Sequence, residues 1–240
     1  MCVIYILSGI IVIILNIDKL PEAFKLIFTE AFSLKQVSAG VMGYTITMGM
    51  RYGFARGIFS NEAGLGSAPM AHGSSNNRNP VDQGMWGIFE VLVDTFFVCT
   101  ITGLIAIIYL DLSKDGFNGA ALTSEAFRLS LPGSVGSITL TIALILFAFS
   151  TFVGWSHYGA VSLGYITKNN KIADLIFKIL FLIVGIVGAT SELTFVWSVA
   201  DTLNGLMAIP NLIGLLILSP IIAKVTRDFT KDPLSTLMKD

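Results

Sequence analysis

The chain has little charge for its length. Only 13% of its 240 residues are Asp, Glu, Lys or Arg, whereas 54% are hydrophobic, and the mean hydropathy is +0.78. That share of charge is about half of what an ordinary soluble domain carries. A soluble protein with several long apolar stretches would need more charged residues than this to cover its surface. The composition therefore argues against a soluble globular protein and predicts an all-α membrane protein.

Cysteine and the short motifs of common enzymes are also scarce. Cys2 and Cys99 lie far apart inside apolar stretches, which supports neither a disulfide framework nor a metal cluster. The net charge of −1 gives no reason to expect nucleic acid as a partner. His72 and His157 lack metal-ligand spacing, and the chain has no phosphate loop, Gly-x-Ser-x-Gly turn or His-Glu-x-x-His sequence.

Long apolar stretches are abundant. The longest run without a charged residue, 129–167, exceeds the roughly 20 residues that cross a ~30 Å hydrocarbon core. Pro132-Gly133 marks its start, and the run is too short to cross twice, so it predicts one tilted helix. We predict six crossings of a lipid bilayer, at about residues 1–17, 36–77, 82–110, 134–167, 172–190 and 195–223.

Two further features complete the predicted topology. Residues 18–35 place Leu20, Phe24 and Phe28 on one helical face, which predicts a short amphipathic helix at the membrane surface. Pro210 follows a possible helix end near Ala208 and would divide the last crossing if the helix ended there.

Lysine and arginine predict the orientation. With alternate crossings, one side of the membrane carries more of them than the other. This bias predicts a cytoplasmic C-terminus. With the six crossings it predicts a multi-pass transmembrane domain over residues 1–226 and a cytoplasmic tail over 227–240, and we expect the membrane to be the plasma membrane. The richer side holds Arg78, Lys168, Lys171, Lys178, Lys224, Arg227, Lys231 and Lys239, and the other holds Lys19, Lys25, Lys35, Lys114 and Arg128.

Residues 57–69 interrupt the second predicted crossing with glycines and polar residues. Backbone leaves the helix inside a bilayer only where it is buried in protein or lines a wet cavity, and such breaks bind substrate and ions in secondary transporters. We predict that Asn61 caps the following half-helix and that Glu62 lies in its first turn. A capped kink is the alternative, but Gly57, Gly64 and Gly66 favour a break that contacts a zwitterion.

Several ionisable side chains are predicted at membrane depth, where each costs roughly 2.5–3.5 kcal/mol. Arg56 and Glu62 are predicted to pair across the break, either as a gate or as a plain structural ion pair. Glu90 and Asp94, one turn apart, would form either a proton relay or a pair that is solvated or internally bonded. Asp201 is predicted to be an internal hydrogen-bonded group.

The fourth predicted crossing carries hydroxyl groups near its middle. Sodium is a hard cation that takes oxygen ligands, and Ser150, Thr151 and a carbonyl one turn earlier at Phe147 would supply part of a site. Hydroxyls that bond back to their own helix explain the same residues equally well. Trp155 lies one turn after Thr151 and would wall a small apolar pocket.

Three stretches of the chain resemble the alanine or glycine:cation symporters, the sodium:alanine symporter family. Residues 52–69 closely resemble the family signature, and residues 154–159 are similar to a second motif in which the family more often has Tyr where His157 stands. Residues 197–216 are similar to the family's last helix. The resemblance covers essentially the whole chain. The first stretch reads Tyr-Gly-Phe-Ala-Arg-Gly-Ile-Phe-Ser-Asn-Glu-Ala-Gly-Leu-Gly-Ser-Ala-Pro.

The resemblance implies a fold and a set of roles. It implies core helices 5–10 of a leucine-transporter-type inverted-repeat fold, with residues 57–66 as the unwound part of core helix 6. It implies symport of alanine or glycine with sodium as the coupling ion and no other cofactor. The implied substrate contacts are Gly57, Phe59, Asn61, Thr151 and Trp155, and the implied sodium ligands are Phe147, Ser150 and Thr151.

Core helices 1–4 are missing from this resemblance. We therefore expect that Met1 is not the natural start of the protein and that the missing N-terminal half is a partner of this chain. Two alternatives stay open at this point. One is a non-transporting membrane subunit that needs a partner chain, and the other is an intramembrane enzyme that uses Glu62 or His72.

Overall fold

The structure is a computed structural model that describes residues 2–32, 41–110, 116–117 and 119–232. All regular secondary structure in these ranges is helical, which confirms the all-α prediction for them. They form two compact units. The first unit is Met1–Met50 with Leu92–Thr151, and the second is Arg51–Val91 with Phe152–Asp240.

The described helices are short at the start of the chain and long at its end. A 3-10 turn at Ile17–Lys19 separates the first two, and a π-helical stretch at Val93–Cys99 makes one continuous helix of the fifth and sixth. In chain order they are α1 (Cys2–Leu15), α2 (Leu20–Phe32), α3 (Val41–Asn61), α4 (Ala68–His72), α5 (Pro80–Leu92), α6 (Thr100–Tyr109), α7 (Ala120–Ser130), α8 (Val135–Thr167), α9 (Lys171–Thr190) and α10 (Leu193–Lys231).

Four helical stretches of the described chain are long and apolar enough to cross a membrane. They are Pro80–Tyr109, Val135–Thr167, Lys171–Thr190 and Leu193–Lys231, which coincide with the third to sixth predicted crossings. A fifth is added if α1 and the segment Ile17–Thr29, bent by 76° against it, count as one span. The count of six crossings therefore stays a prediction, as does the orientation.

Some of the predicted boundaries differ from the helices of the structure. α10 runs past residue 226, the predicted end of the transmembrane domain, and ends at Lys231. Lys35, Lys114 and Lys239, which entered the prediction of orientation, lie outside the described residues. α7 was not predicted, because its mixed sequence has no long apolar run, although the Asn-Gly pair at 118–119 directly before it is a turn signal.

The two prolines of α10 do not divide it. Pro210 and Pro220 both lie inside the helix, so the possible end near Ala208 is not found. Proline cannot donate to the carbonyl four residues earlier, and neighbouring groups replace that bond in transmembrane helices. At Pro220 the replacement is visible, because Ser219 Oγ donates to the Leu216 carbonyl at 2.9 Å.

The core of the first unit packs α1, α6, α7 and α8 around Tyr5. The Tyr5 hydroxyl hydrogen-bonds Thr102 Oγ1, and its ring centre lies 5.6 Å from that of Phe127 and 5.8 Å from that of Phe147. Helices associate in lipid through such close packing and interhelical hydrogen bonds. These contacts fix the part of α8 that carries the predicted sodium ligands. The buried residues of this core are Tyr5, Val12, Ile101, Ile105, Leu110, Ala126, Phe127, Leu140 and Ala143.

The second unit packs α8 against α9 and α4. The ring centres of Phe152 and Phe181 lie 4.6 Å apart between α8 and α9. Ser162 Oγ lies 3.5 Å from Met70 Sδ, which places α4 beside α8. Asn170 caps α9, since its side-chain oxygen accepts from the Ile172 amide at 2.9 Å. The contact between Ser162 and Met70 therefore holds α4, the helix that follows the break, beside α8.

Candidate functional site

The break in the second predicted crossing lies at residues 62–67. α3 continues to Asn61, so Gly57, Phe59 and Asn61 are helical and the predicted start of the break at Gly57 is wrong. The reason is local, because Asn61 Nδ2 donates to the Gly57 carbonyl at 3.0 Å and so bonds back into α3. The prediction that Asn61 caps the following helix is therefore wrong. Ser67 occupies the N-cap position of α4.

Left-handed backbone produces the break. Glu62, Gly64 and Gly66 have φ angles of 49°, 75° and 82°, a region that is costly for residues with a Cβ. Glu62 is held there by Ser67, whose buried hydroxyl donates to the Glu62 carboxylate at 2.7 Å. This bond closes the break into a compact loop before α4 begins.

α10 supports the break from the side. Asn211 Nδ2 donates to the Gly64 carbonyl at 3.0 Å, which supplies a partner for a peptide group that has left the helix. A Cβ on Gly66 would lie 2.9 Å from Asn211 Oδ1, so glycine is what permits this close approach. Leu65 is buried beside it. The break is thus a packed structure in which the middle of α10 takes part.

Arg56 pairs with Asp201 rather than with Glu62. The distance from Arg56 Nη2 to Asp201 Oδ2 is 2.6 Å, so the predicted pair of Arg56 and Glu62 across the break is wrong. The guanidinium also lies 3.6 Å from the ring centre of Trp197, and that ring meets the Phe59 ring edge to face at 5.0 Å. The aromatic and ionic contacts together join the end of α3 to the start of α10.

The predicted sodium ligands lie at the α8 end of the first unit. Ser150 Oγ donates to the Phe147 carbonyl at 3.0 Å, so the structure brings these two oxygens together. This is the back-bonded geometry of the alternative explanation, although Ser150 Oγ keeps acceptor lone pairs in it. Thr151 is exposed, and Trp155, in the second unit, packs its ring on Tyr158 at 5.8 Å. The roles of these residues stay predictions.

Two residues that contact the site were not singled out from the sequence. Trp197 was not recognised as the partner of Arg56 and Phe59, and Asn211 was not recognised as the donor to the break. A signal for the first exists, because Trp197 and Asp201 are one helical turn apart and so share a face. For the second, a polar Asn directly after Pro210 in an apolar helix is the available signal.

Comparison with known proteins decides the family. The sequence model of the sodium:alanine symporter family matches residues 1–238. The chain belongs to this family. Its relatives include the sodium/alanine symporter of Methanococcus maripaludis, which is 42% identical over 234 residues, 96% of this chain and 50% of that protein.

Two further relatives in the family are bacterial. A transporter of Haemophilus influenzae is 36% identical over 229 residues, 95% of this chain and 50% of that protein. The amino-acid carrier protein AlsT of Bacillus subtilis is 35% identical over 228 residues, 95% of this chain and 47% of that protein. The chain therefore spans about half the length of the curated relatives it matches.

Family membership gives the class of protein to which the chain belongs. The family and these relatives are transporters and not enzymes, which removes the alternative of an intramembrane enzyme that uses Glu62 or His72. Family membership and the membrane-length helices together indicate a multi-pass membrane protein of a cation-coupled amino-acid symporter family.

Proposed function

We propose that the chain forms the C-terminal part of a sodium-coupled symporter for a small neutral amino acid, alanine or glycine. In this proposal it supplies core helices 5–10 of a leucine-transporter-type inverted-repeat fold. Residues 1–226 form its transmembrane domain in the plasma membrane, and the C-terminus lies in the cytoplasm. The bias of Lys and Arg toward one side supports this orientation.

The observation that carries the proposal is the break at residues 62–67 within a chain of this family. Backbone outside a helix offers amide and carbonyl groups to a zwitterionic amino acid. In this loop the Ala63 and Leu65 amides already donate to the Ile58 and Glu62 carbonyls, so the remaining groups are the ones available to substrate. The Gly64 carbonyl likewise accepts from Asn211, so the loop is held in shape before substrate arrives. Preorganisation of this kind lowers the cost of binding.

The proposed contacts surround the end of α3 and the middle of α8. Phe59, with Gly57 and Asn61 on the last turns of α3, would border the amino acid, and Trp155 would cover its small side chain. Arg56, Asp201 and Trp197 orient Phe59 through the ring contact at 5.0 Å. We propose a small substrate because a relative that is 42% identical is a sodium/alanine symporter.

Sodium would bind to oxygen atoms of α8. The Phe147 carbonyl and the Ser150 hydroxyl lie 3.0 Å apart, and Thr151 follows directly. A sodium ion needs more oxygen ligands than these three residues offer, and the remaining part of the symporter would supply the others. Sodium acts here as the coupling ion, not as a resident cofactor.

A partner is part of the proposal because the chain spans about half of its relatives. A complete symporter would form when the missing N-terminal half joins this chain, as a separate or as a covalently linked segment. The second candidate function, a membrane subunit that transports nothing without a partner chain, rests on the same half-length match.

A chimera tests the proposal. The segment of the Methanococcus maripaludis symporter that matches this chain is replaced by the chain itself, and uptake of labelled alanine into proteoliposomes is measured with a sodium or a choline gradient. We expect sodium-dependent uptake that unlabelled glycine competes with more strongly than glutamine does. Chimeras with Thr151→Val or Trp155→Leu should lose most uptake, whereas Thr190→Val, an exposed threonine of α9, is the matched control.

The chimera also separates the alternatives. Uptake that is equal in choline would contradict sodium coupling. A chimera that folds and reaches the membrane but takes up no alanine under any gradient would favour the non-transporting subunit.

A further inference from the structure

Glu62 places a carboxylate at the first residue of the break, in a stretch that is predicted to lie within the membrane. The residue is half-buried, and its carboxylate accepts from the Ser67 hydroxyl at 2.7 Å. No Lys, Arg or His side chain of the described residues forms an ion pair with it. A carboxylate in a membrane-spanning segment is costly and is almost always paired. Within the described part of the chain, Glu62 lacks the positive partner that its position requires.

The three charged side chains next to the break leave one negative charge uncompensated. Arg56 and Asp201 pair at 2.6 Å and neutralise each other, so Glu62 is the charge that remains. Arg51, the preceding cation of α3, is exposed and lies eleven residues before Glu62. Roughly 15 Å of helix therefore separates the two backbones, a distance at which exposed charges are largely screened.

The end of α3 attracts a positive group as well. α3 has 21 residues and ends at Asn61, directly before Glu62. The carbonyl groups of a helix point toward its C-terminus, and their aligned dipoles place about half a negative charge there. Helix dipole and carboxylate thus have the same sign at the same point of the chain, and both favour a cation at the start of the break.

The Glu62 carboxylate keeps capacity for a further donor. Its two oxygens offer about four acceptor positions, and the bond from Ser67 uses one of them. Ser67 is fully buried, so this bond holds one carboxylate oxygen in place. An acceptor that is fixed before binding loses less conformational entropy when a donor arrives.

Glu62 lies near a residue that is proposed to contact the substrate. Tyr158 of α8 is within electrostatic range of the Glu62 carboxylate. The Trp155 ring packs on the Tyr158 ring with 5.8 Å between the ring centres, and all three residues belong to the second unit. Trp155 is the residue proposed to cover the small side chain. Alanine and glycine are so small that a group near their side chain is also near their ammonium group.

We propose that the Glu62 carboxylate binds the ammonium group of the transported amino acid. The proposal rests on the symport function proposed above and adds to it a residue that was not assigned to substrate binding. An ammonium group has a positive charge and three N–H donors, which suit a carboxylate beside the carbonyl end of a helix. The carboxylate of the amino acid is then left for the sodium ion and for groups of the missing N-terminal half.

Two ligands that differ only in the ammonium group test the proposal. Calorimetry measures the binding of alanine and of lactate, which has a hydroxyl in place of the ammonium group, to the chimera described above in sodium. We expect Glu62→Gln to weaken alanine binding roughly tenfold or more, as for the loss of one charged hydrogen bond, and lactate binding less than about twofold. Glutamine keeps an acceptor for Ser67, so the substitution removes the charge and keeps that bond.

Two further variants and a sodium measurement serve as controls. Glu62→Asp keeps the charge on a shorter side chain and should lose less alanine affinity than Glu62→Gln. Glu192→Gln, the same change at an exposed glutamate before α10, should leave both affinities in place. Sodium binding without amino acid is measured as the rise of Tm with sodium concentration, and this rise should be the same in Glu62→Gln as in the unsubstituted chimera.

A measurement on the unsubstituted chimera locates the ammonium group directly. Glutamate residues are labelled with ¹³C at Cδ and the bound alanine with ¹⁵N, and solid-state magnetic resonance measures the dipolar coupling between the two nuclei. We expect a coupling that corresponds to about 3–4 Å, the separation across a hydrogen bond between charged groups. The coupling should vanish in Glu62→Asp, whose carboxyl carbon is not labelled, while alanine still binds.

The outcomes separate this proposal from the proposed function. Alanine binding that Glu62→Gln leaves unchanged overturns the role of Glu62 and leaves the symport function standing. Equal weakening of alanine and lactate also overturns it, because Glu62 would then support the fold or pair with a Lys or Arg of the missing half. Loss of the sodium response overturns it in favour of a sodium ligand. A chimera that folds but binds no alanine contradicts the proposed function itself, and this proposal with it.

Discussion

Arg56 and Asp201 lie 145 positions apart in the chain, yet their charged groups meet at 2.6 Å. Both side chains are about one-third exposed, at 33% and 35%, so the pair is neither fully buried nor freely solvated. Arg56 Nη1 is buried and has no hydrogen-bond partner among the described residues, which makes Asp201 the main acceptor for this guanidinium. The pair is therefore the principal ionic link between α3 and α10.

Asp201→Asn should destabilise the chain by about 1–2 kcal/mol, between the cost for an exposed pair and that for a fully buried one. The reason is that Arg56 keeps its charge and loses its counter-ion. Thermal unfolding of the full chain in detergent measures the change. Asp174→Asn is the matched control, because Asp174 pairs with Lys178 at 2.7 Å on the exposed surface of α9 and should cost less than about 0.5 kcal/mol. Equal losses in the two variants would contradict the importance of the Arg56 pair.

Substitution by alanine should have opposite effects on stability at two glycines, Gly66 in the break and Gly57 in α3. Gly66→Ala should destabilise the protein by about 1–3 kcal/mol, because φ is 82° and the new Cβ would meet Asn211 Oδ1 at 2.9 Å. Gly57→Ala should be neutral or stabilise by about 0.5–1 kcal/mol, since Gly57 is helical and a Cβ there meets no atom within 4 Å. Chemical unfolding measures the stability of both variants. If the break began at Gly57, Gly57→Ala would be the more destabilising of the two.

Asn211 supplies a donor that aspartate lacks. Asn211→Asp should cost about 1–3 kcal/mol, because the Gly64 carbonyl loses its 3.0 Å bond and faces a negative oxygen. Asn204→Asp makes the same change two turns earlier on α10 and serves as the control. Hydrogen exchange in the loop of residues 62–67 should quicken in the first variant and stay unchanged in the second. The interaction is disproved if Asn211→Asp leaves both stability and exchange unaltered.

Trp197 should stabilise the protein through the face of its aromatic ring. Trp197→Leu should lose about 1 kcal/mol more than Trp197→Phe, because phenylalanine keeps an aromatic face for Arg56 and an edge-to-face contact for Phe59. Unfolding of the two variants gives the difference. Trp86, which is 58% exposed and meets the Phe89 ring edge to face at 5.7 Å, is the control for the cation contact, because no guanidinium lies over its ring among the described residues. Leucine and phenylalanine should differ less at Trp86 than at Trp197.

Local signals in the sequence predicted much of the fold. Pro132-Gly133 marked the start of α8 correctly, because Gly133 adopts a φ of 64° just before Val135. The presence of a break was predicted as well, since several glycines and polar residues interrupt an apolar stretch. Its position was not, because a sequence does not reveal which glycine adopts positive φ. Gly57 and Gly66 are both glycines, but Gly57 has a helical backbone and Gly66 has a φ of 82°.

Pairing between distant helices was beyond sequence reasoning. Arg56 has Glu62 close by in the chain and Asp201 far away, and proximity in sequence favoured the wrong partner. The choice depends on how α3 packs on α10, where the Trp197 ring lies 3.6 Å from the Arg56 guanidinium. The structure also places Glu90 beside His72 of α4, a contact that its position one turn from Asp94 did not indicate.

The central claim is that backbone unwound at residues 62–67 contacts the transported amino acid. Hydrogen–deuterium exchange of these amides, in the chimera that carries this chain, tests it most directly when it is measured with alanine in sodium and in choline. The account predicts exchange faster than in α3 without alanine, and slowing by alanine only when sodium is present. Amides as protected as those of α3 without any ligand, or exchange that alanine and sodium together do not change, would contradict it.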